Sequence, residues 1–262
     1  MSDTPHLIRS RDNPTFKALA ELARSPRARR RTGQTLLDGE HLLQAALDAG
    51  HVPDLLILAQ GCVPALRRKW VRTLAGTPVL ELTRGLFAAL TPLETPSGLL
   101  ARIPVPAGRT DRAGDLPEGL LLLEDIQDPG NLGAILRVAA AAGMARVCLS
   151  QGCAEAWSPK SLRGGQGAQF QLALREGVDL VAEARAFAAP VHAGLPGDGT
   201  SLFQLDLRGR VGFAFGNEGA GLSAELQAVC TPFSIPMRAR VESLNVATAA
   251  AVCLFERLRQ IS

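Results

Sequence analysis

The amino-acid sequence predicts an α/β protein of two domains, and three observations support this prediction. Short aliphatic runs alternate with segments of helical periodicity over residues 1–103. The same alternation restarts more strongly over residues 119–262. Residues 104–118 separate the two as a linker, because they are rich in proline, glycine and charge and carry no periodic apolar pattern.

In the first domain, helices are predicted where apolar residues recur at helical spacing. Phe16, Leu19 and Leu22 predict a helix over 14–24, and residues 36–49 are apolar with helical periodicity up to Gly50. Residues 25–35 between them are predicted to form a charged, mobile turn. The remaining predicted elements are strands at 55–59 and 79–82 and helices at 64–75 and 85–90.

In the second domain, the continuous apolar run 119–123 predicts a strand buried on both faces. An alanine-rich helix over 132–142 follows and is closed by Gly143. Further on we predict strands at 146–150, 191–194, 211–215 and 233–235, helices at 178–188, 222–230 and 244–258, and a glycine-rich loop at 164–167. Strands joined by helical crossovers indicate a parallel sheet.

Composition excludes several classes of protein. No apolar run reaches about 18 residues, and the polar N-terminus has no signal-peptide core, so we expect a soluble cytoplasmic protein without a membrane span. The five cysteines are scattered, which disfavours a disulfide framework or a zinc site and favours free thiols. No metal is expected.

Positive charge is concentrated at the N-terminus. Residues 1–31 hold eight basic and three acidic residues, which leaves +5 there and −2 in the rest of a chain whose net charge is +3. Such a patch can attract phosphate groups, and a solvated, flexible arm would show the same composition. Composition alone leaves both interpretations open.

The first segment that could carry chemistry is 124–137, where a strand ends and a helix begins. Asn131 is predicted to cap that helix, and Arg137 lies about one and two-thirds turns further along. Open α/β sheets bind ligands at this edge, the carboxyl ends of their strands. An ordinary strand-to-helix turn with a surface arginine is the alternative.

The second segment, 213–223, is a strand that runs into a loop with Gly216, Gly219 and Gly221. Its spacing does not match the dinucleotide-binding fingerprint or the phosphate-binding loop. Because Glu218 would repel a phosphate, the loop suits a neutral or positively charged ligand, unless it is only a structural turn.

The third segment, 234–248, begins with a rigid apolar stretch that contains Ile235 and Met237. Ser243 and Asn245 stand at the start of the last helix, and small residues follow them. A capped, alanine-rich core helix is the alternative interpretation.

Taken together and in this order, these segments resemble the three motifs of the SpoU, or TrmH, family of RNA ribose 2'-O-methyltransferases. The matching stretches are NLGAILR (131–137), FGNEGAGLS (215–223) and IPMRARVESLNVATAAAV (235–252). The N-terminal stretches SRDNPTFKALAEL, RRRTGQTLLDGEHLL and LETPSGLLA resemble the family's substrate-binding extension, which is similar to ribosomal L30e-type domains. Asp38 departs from the glutamate that relatives often carry there.

The resemblance implies a trefoil-knotted C-terminal α/β domain preceded by a smaller L30e-like α/β domain, and a homodimer formed through the C-terminal domain. It implies S-adenosylmethionine as cofactor, contacted by Gly216, Ile235, Leu244 and Met237. The polar active-site positions would be Asn131, Arg137, Glu218, Ser243 and Asn245. RNA would be contacted by the arginine-rich stretch and by a position in 158–170, namely by Arg27, Arg29, Arg30, Arg31 and Arg163.

The implied reaction is 2'-O-methylation of a ribose in structured RNA, with ribosomal RNA favoured over transfer RNA. Arg137 would hold the adjacent phosphate and stabilise the developing alkoxide, because a guanidinium stays protonated. Two alternatives remain: a non-catalytic RNA-binding or ribosome-assembly protein on the same fold, and a knotted base methyltransferase. A nucleotide-binding oxidoreductase is disfavoured by the glycine spacing.

Overall fold

The structure, a computed structural model, describes residues 6–93, 95–106, 118–195, 197, 199–238 and 242–262. The chain divides into two compact units. The first comprises Met1–Pro106 and Trp157–Phe170, and the second comprises Ala107–Ala156 and Gln171–Ser262. Most of the predicted linker, residues 107–117, lies outside the described residues.

A five-stranded mixed sheet forms the centre of the first unit. Its strands are β1 (His6–Ile8), β2 (Gln34–Asp38), β3 (Leu55–Ala59), β4 (Val79–Leu82) and β5 (Leu99–Pro104), in the spatial order β1-β4-β3-β5-β2. β1, β4 and β3 run parallel, whereas β5 is antiparallel to both β2 and β3. β3 and β4 have the predicted bounds, but β1 and β5 were not predicted as strands.

Within the described part of residues 6–106, five helices accompany this sheet: α1 (Pro14–Arg24), α2 (Pro26–Thr32), α3 (Glu40–Asp48), α4 (Pro64–Thr73) and α5 (Arg84–Ala88). α1 has the predicted bounds, because Asn13 caps it and Phe16, Leu19 and Leu22 are buried along one face. The predicted mobile turn at 25–35 is wrong. Most of it forms α2, capped by the Ser25 side chain.

The helix predicted from residue 36 is also wrong in its first part. Residues 34–38 form β2, whose three central residues are all buried, and a fully buried strand cannot be distinguished from a helix by periodicity. Gly39, with φ of 94°, separates this strand from α3.

Seven strands form the sheet of the second unit, and every described pairing in it is parallel. They are β6 (Gly119–Leu123), β7 (Arg146–Leu149), β8 (Ala173–Glu176), β9 (Val191–Gly194), β10 (Thr200–Ser201), β11 (Val211–Phe215) and β12 (Thr231–Ser234), in the order β10-β12-β9-β11-β6-β7-β8. β6 and β11 lie side by side and are buried along their whole length, as the apolar run at 119–123 predicted.

The remaining helices are α6 (Pro129–Ala141), α7 (Pro159–Gly165), α8 (Leu180–Ala186), α9 (Ala224–Gln227) and α10 (Val246–Ile261). α8 and α9 share an apolar cluster with β6, and α10 packs along α6. Arg257 lies near the end of α10 and is buried. It donates hydrogen bonds to the backbone oxygens of Glu118 and Gly209, which stabilises the position of the helix. No described helix is long and apolar enough to cross a membrane.

Residues 157–170 belong to the first unit, although the sequence predicted them within a continuous second domain. The Thr35 hydroxyl donates to the Trp157 carbonyl at 2.7 Å, and the Trp157 and Phe170 rings lie 5.3 Å apart. Part of the predicted glycine-rich loop at 164–167 is the end of α7. This segment is therefore a packed element of the first unit.

Candidate active site

The carboxyl ends of the parallel strands in the second unit surround a cavity of about 630 Å³. Its walls are the loop after β11 and the segment between β12 and α10. The lining residues are Gly194, Leu195, Phe215, Gly216, Asn217, Glu218, Gly219, Ala220, Gly221, Leu222, Phe233, Ile235, Met237, Glu242, Ser243, Leu244, Asn245, Val246 and Ala249. All four predicted cofactor residues are among them.

The loop over residues 216–223, here called the glycine loop, has a shape that only glycine permits at its start. A Cβ on Gly216 would overlap the backbone of Gly221 and Leu222. Asn217 and Gly221 face each other as a bridge, with backbone hydrogen bonds of 3.1 and 2.9 Å. The wall therefore presents backbone groups at close range to any ligand.

Three of the predicted polar residues form a hydrogen-bonded chain. Asn131 donates from Nδ2 to Oε1 of Glu218 at 2.6 Å, and its Oδ1 accepts from Nδ2 of Asn245 at 3.0 Å. The Oδ1 of Asn245 in turn caps α10 by accepting from the backbone N of Ala247 and Thr248. This chain, here called the Asn131 chain, brings residues from all three motifs together.

The prediction that Asn131 caps α6 is wrong, because Asp128 holds that position. The Asp128 carboxylate accepts from the backbone N of Asn131 at 2.9 Å. Asn131 lies inside the first turn, so its side chain can bridge Glu218 and Asn245 instead of closing the helix end.

Negative charge dominates the described lining of the cavity. Glu218 and Glu242 contribute carboxylates, and none of the described lining residues is basic. A carboxylate attracts cations and repels phosphates at this range. The cavity therefore suits a positively charged ligand, which is one of the two kinds, neutral or positively charged, that Glu218 indicated in the sequence.

Arg137 is exposed on α6 and is not among the described residues that line the cavity. Within the described part of the chain, the structure shows no hydrogen bond or ion pair for its guanidinium group. Glu218 accepts a hydrogen bond from Asn131, and no hydrogen bond or ion pair joins Glu218 to Arg137 among the described residues. The guanidinium is therefore open to an anionic partner from outside this chain.

Sequence reasoning missed two side chains that support the site, Glu124 and Asn217. The Glu124 carboxylate accepts from both the backbone N and the hydroxyl of Ser223, each at 2.7 Å. The Asn217 side chain reaches the Asp125 carbonyl at 2.9 Å. An asparagine two residues before a glycine is a turn signal that could have identified Asn217. No local pattern indicates a pairing across 99 residues, such as that of Glu124.

The predicted RNA-binding arginines of α2 differ in accessibility. Arg27, Arg30 and Arg31 are exposed, and Arg31 pairs with Glu21 at 3.1 Å. Arg29 is only 6 % exposed and donates to the Leu22 carbonyl at 2.7 Å. We therefore correct the prediction for Arg29, whose guanidinium serves the interior of the first unit.

Arg163, the remaining predicted RNA contact, lies in α7 and is partly exposed. Its Nη2 lies 3.7 Å from the carboxylate of the buried Asp38. Burial raises the pKa of Asp38, while the hydrogen bond from Thr91 and the charge of Arg163 lower it. Arg163 thus has a partner within its own unit.

The cysteines are free thiols in the structure, as expected. Burial raises the pKa of Cys148 to about 12 and that of Cys230 to about 11. Both thiols therefore stay protonated at neutral pH and are poor nucleophiles.

Two family models match the chain. One is described as the SpoU rRNA Methylase family and covers residues 119–255, and the other is described as an MRM3-like substrate binding domain and covers residues 13–101. The chain is 31 % identical to the Bacillus subtilis protein named 23S rRNA (guanosine(2553)-2'-O)-methyltransferase RlmP, over 95 % of this chain and 97 % of that protein.

Solved structures are similar over nearly the whole chain. A structure described as an RNA 2'-O ribose methyltransferase superposes with a TM-score of 0.83 at 28 % identity, over 97 % of this chain and 98 % of that one. An rRNA methyltransferase from Sinorhizobium meliloti with bound AdoMet gives a TM-score of 0.82 at 26 % identity, over 98 % of each chain.

Proposed function

The chain belongs to the SpoU rRNA methylase family, and on that premise we propose that it methylates the 2'-oxygen of a ribose in ribosomal RNA. The observation that carries the proposal is the cavity between the glycine loop and the segment before α10, with the Asn131 chain joining its walls. In this arrangement the cavity can hold a small molecule, and the Asn131 chain provides polar groups for the acceptor beside it.

S-adenosylmethionine supplies an activated methyl group on a sulfonium centre. The residues present fit it. A cavity of about 630 Å³ lies within the range of small-molecule pockets, roughly 300–1,000 Å³. Gly216 leaves room where a Cβ would clash, Ile235 and Leu244 offer apolar walls to a purine, and the carboxylates of Glu218 and Glu242 suit the positive charges.

The acceptor side is proposed to depend on Arg137. A guanidinium is a planar cation with several hydrogen-bond donors, so Arg137 stabilises negative charge that develops on the 2'-oxygen and holds the neighbouring phosphate. The Asn131 chain orients the groups at the cavity mouth, and Ser243 offers a hydroxyl beside it. Holding both reactants in line supplies much of the acceleration.

The two domains are proposed to divide the work. Residues 1–103 would hold structured RNA, mainly through phosphate contacts of the exposed arginines Arg27, Arg30 and Arg31, and residues 119–262 would carry out the transfer. The match of residues 13–101 to a substrate-binding model supports this division. Arg163, which is partly exposed beside Asp38, is proposed to add a further RNA contact.

We also propose a homodimer and a knotted C-terminus, with the protein acting in the cytoplasm, where its ribosomal RNA substrate would be found. Phe255 and Ile261 are 48 % and 45 % exposed on α10, which supports coverage of this helix by a second copy. β12 lies between β10 and β9 in the sheet, and after it the chain returns as α10 to pack along α6, the helix that follows β6. This return supports a threaded chain.

One experiment tests the function. The purified protein, S-adenosylmethionine and unmodified ribosomal RNA are incubated, and a nucleoside digest is analysed by mass spectrometry. A 2'-O-methylnucleoside is expected. A base-methylated nucleoside would establish the base methyltransferase instead, and donor binding without methylation of any RNA tested would favour the non-catalytic alternative. Mapping 2'-O-methyl sites in RNA from a deletion strain identifies the nucleotide.

A further inference from the structure

Both ends of the glycine loop are hydrogen-bonded to the turn that follows β6. At its start, Asn217 donates from Nδ2 to the backbone oxygen of Asp125 at 2.9 Å, across 92 residues of sequence. At its end, the Glu124 carboxylate accepts two hydrogen bonds from Ser223. Neighbouring residues of one turn thus hold the whole loop.

Asn217 has two separable roles in this arrangement. Its Oδ1 accepts from the backbone N of Gly219 at 2.8 Å and of Ala220 at 3.0 Å, which shapes the loop internally. Its Nδ2 donates to Asp125 and ties the loop to the turn. One oxygen therefore fixes the form of the loop, and one nitrogen fixes its position.

The turn that Asn217 holds has an unusual backbone. Asp125 has a φ of 53°, in the left-handed region that non-glycine residues rarely adopt. The Ser150 hydroxyl bonds to both its backbone N and its carboxylate. Such conformations persist where surrounding contacts enforce them, and they concentrate at functional sites.

The tie between Asn217 and Asp125 sets the spacing of the Asn131 chain. Asn131 follows Asp125 by six residues, and Glu218 follows Asn217 directly. The hydrogen bond of 2.6 Å between Asn131 and Glu218 is therefore a second link between the segment after β6 and the glycine loop. A loop free to shift relative to the turn would lose this short contact first.

We propose that Asn217 is a positioning residue for methyl transfer. It acts through Asp125, keeping the glycine loop and the Asn131 chain in register, so that a donor in the cavity and an acceptor at its mouth are held in line. This proposal rests on the proposed function, since the reaction that Asn217 serves is the one inferred above.

The variant N217D tests the tie in isolation. Aspartate is nearly isosteric and keeps an oxygen that accepts from Gly219 and Ala220, but it replaces the donor toward Asp125 with a second oxygen. We expect kcat to fall by at least about 10-fold, since small misplacements cost this much, while the Kd for S-adenosylmethionine changes by a smaller factor than kcat does. N217A removes both roles, so kcat falls and donor binding weakens as well.

Asp179 provides matched controls. It caps α8 with the same pair of acceptor contacts, to the backbone N of Val181 and Ala182, away from the cavity lining. D179N and D179A should retain wild-type kcat. The proposal would be overturned if N217D kept wild-type kcat. It would also be overturned if D179A lost as much kcat as N217D while the two variants had the same thermal stability.

Hydrogen exchange gives a readout that does not depend on activity. Peptides covering residues 125–133 should exchange faster in N217D than in wild type or D179N, because the turn loses its anchor. Unchanged exchange would refute the tie. If the wild-type protein binds the donor but methylates no RNA, the proposed function fails, and the exchange comparison still decides whether Asn217 holds the turn.

Discussion

The two units differ in how they present charge. In the first, α2 carries exposed arginines and α4 carries four basic side chains among ten residues. In the second, the described cavity lining combines glycine backbone, apolar side chains, amides and two carboxylates, without a basic side chain. The first unit therefore suits a polyanion, whose binding is driven by phosphate contacts, and the second suits a small cation held by shape.

This contrast separates two kinds of recognition within one chain. Exposed arginines tolerate movement, because phosphate contacts act through charge over several ångströms. The glycine loop does not tolerate movement, because its backbone is packed so closely at Gly216 that there is no space for a methyl group. Substitutions in the second unit should therefore act through geometry, and those in the first through charge or packing.

Arg137 is the cation of the second unit to which the proposed function assigns a role at the acceptor. We expect R137K to lower kcat by about 100-fold or more, because lysine keeps the charge but loses the planar fork, while the Kd for S-adenosylmethionine stays near wild type. Single-turnover kinetics and calorimetry measure the two. R185K, at an exposed arginine of α8, is the control and should behave as wild type. Turnover retained in R137K would refute the proposed role.

The shape of the cavity is tested within the glycine loop itself. In G216A the new methyl group overlaps the Gly221 backbone, so the loop must move and donor affinity should fall by at least about 10-fold. G85A, in α5 of the first unit, places its methyl group where no other heavy atom lies within 4 Å, and should bind normally. Calorimetry with S-adenosylmethionine compares them. Equal affinities would show that the loop is not a close-fitting wall.

Arg27 and Arg29 separate charge from packing in the first unit. R27A should weaken RNA binding without affecting stability. It should also make the negative slope of log K against log salt concentration less steep by about 1. R29A should lower the free energy of unfolding by about 1–3 kcal/mol, because the buried Leu22 carbonyl loses its donor. Filter binding at several salt concentrations and urea denaturation distinguish the two. A stable R29A protein with weakened RNA binding would reverse our correction.

The smallest expected effect concerns His192, which is 7 % exposed beside Phe213 and Phe233. Burial lowers the pKa of His192 below its usual 6.5. The folded state therefore favours the neutral form of His192. The resulting contribution to the free energy of unfolding is fully present above about pH 6.5, and it is lost as the pH falls, because the unfolded chain binds the proton more readily. Urea denaturation should show a decrease between pH 7.5 and 5.5 that is smaller in H192F. Identical pH dependence in both proteins would contradict this assignment.

Much of the fold could be predicted from the sequence where local pattern decides the structure. The runs at 55–59, 79–82, 119–123, 191–194 and 211–215 have the predicted bounds, because short apolar runs flanked by turn residues leave few alternatives. β8 and β10 were missed because they are short and partly exposed. The helix predicted at 36–49 was wrong in its first part, because residues 36–38 belong to the buried strand β2.

The sequence motifs selected candidate site residues, but the hydrogen bonds that join these residues could not be predicted. The motifs identified Asn131, Glu218 and Asn245, and the structure joins them by hydrogen bonds. The cap of α6 was misassigned because Asp128 and Asn131 are both good capping residues and only geometry selects between them. The partners of Glu124 and Arg163 follow from long-range folding, which no local pattern encodes.

The bond between Asn245 and Asn131 spans 114 residues of sequence. Contacts of such long separation are slow to form, because the intervening chain must first be closed into a loop. During synthesis, residue 131 leaves the ribosome well before residue 245 can reach it. The nascent protein should therefore acquire its stable β6–β7 pairing early and its competence as an enzyme only in the last steps of folding.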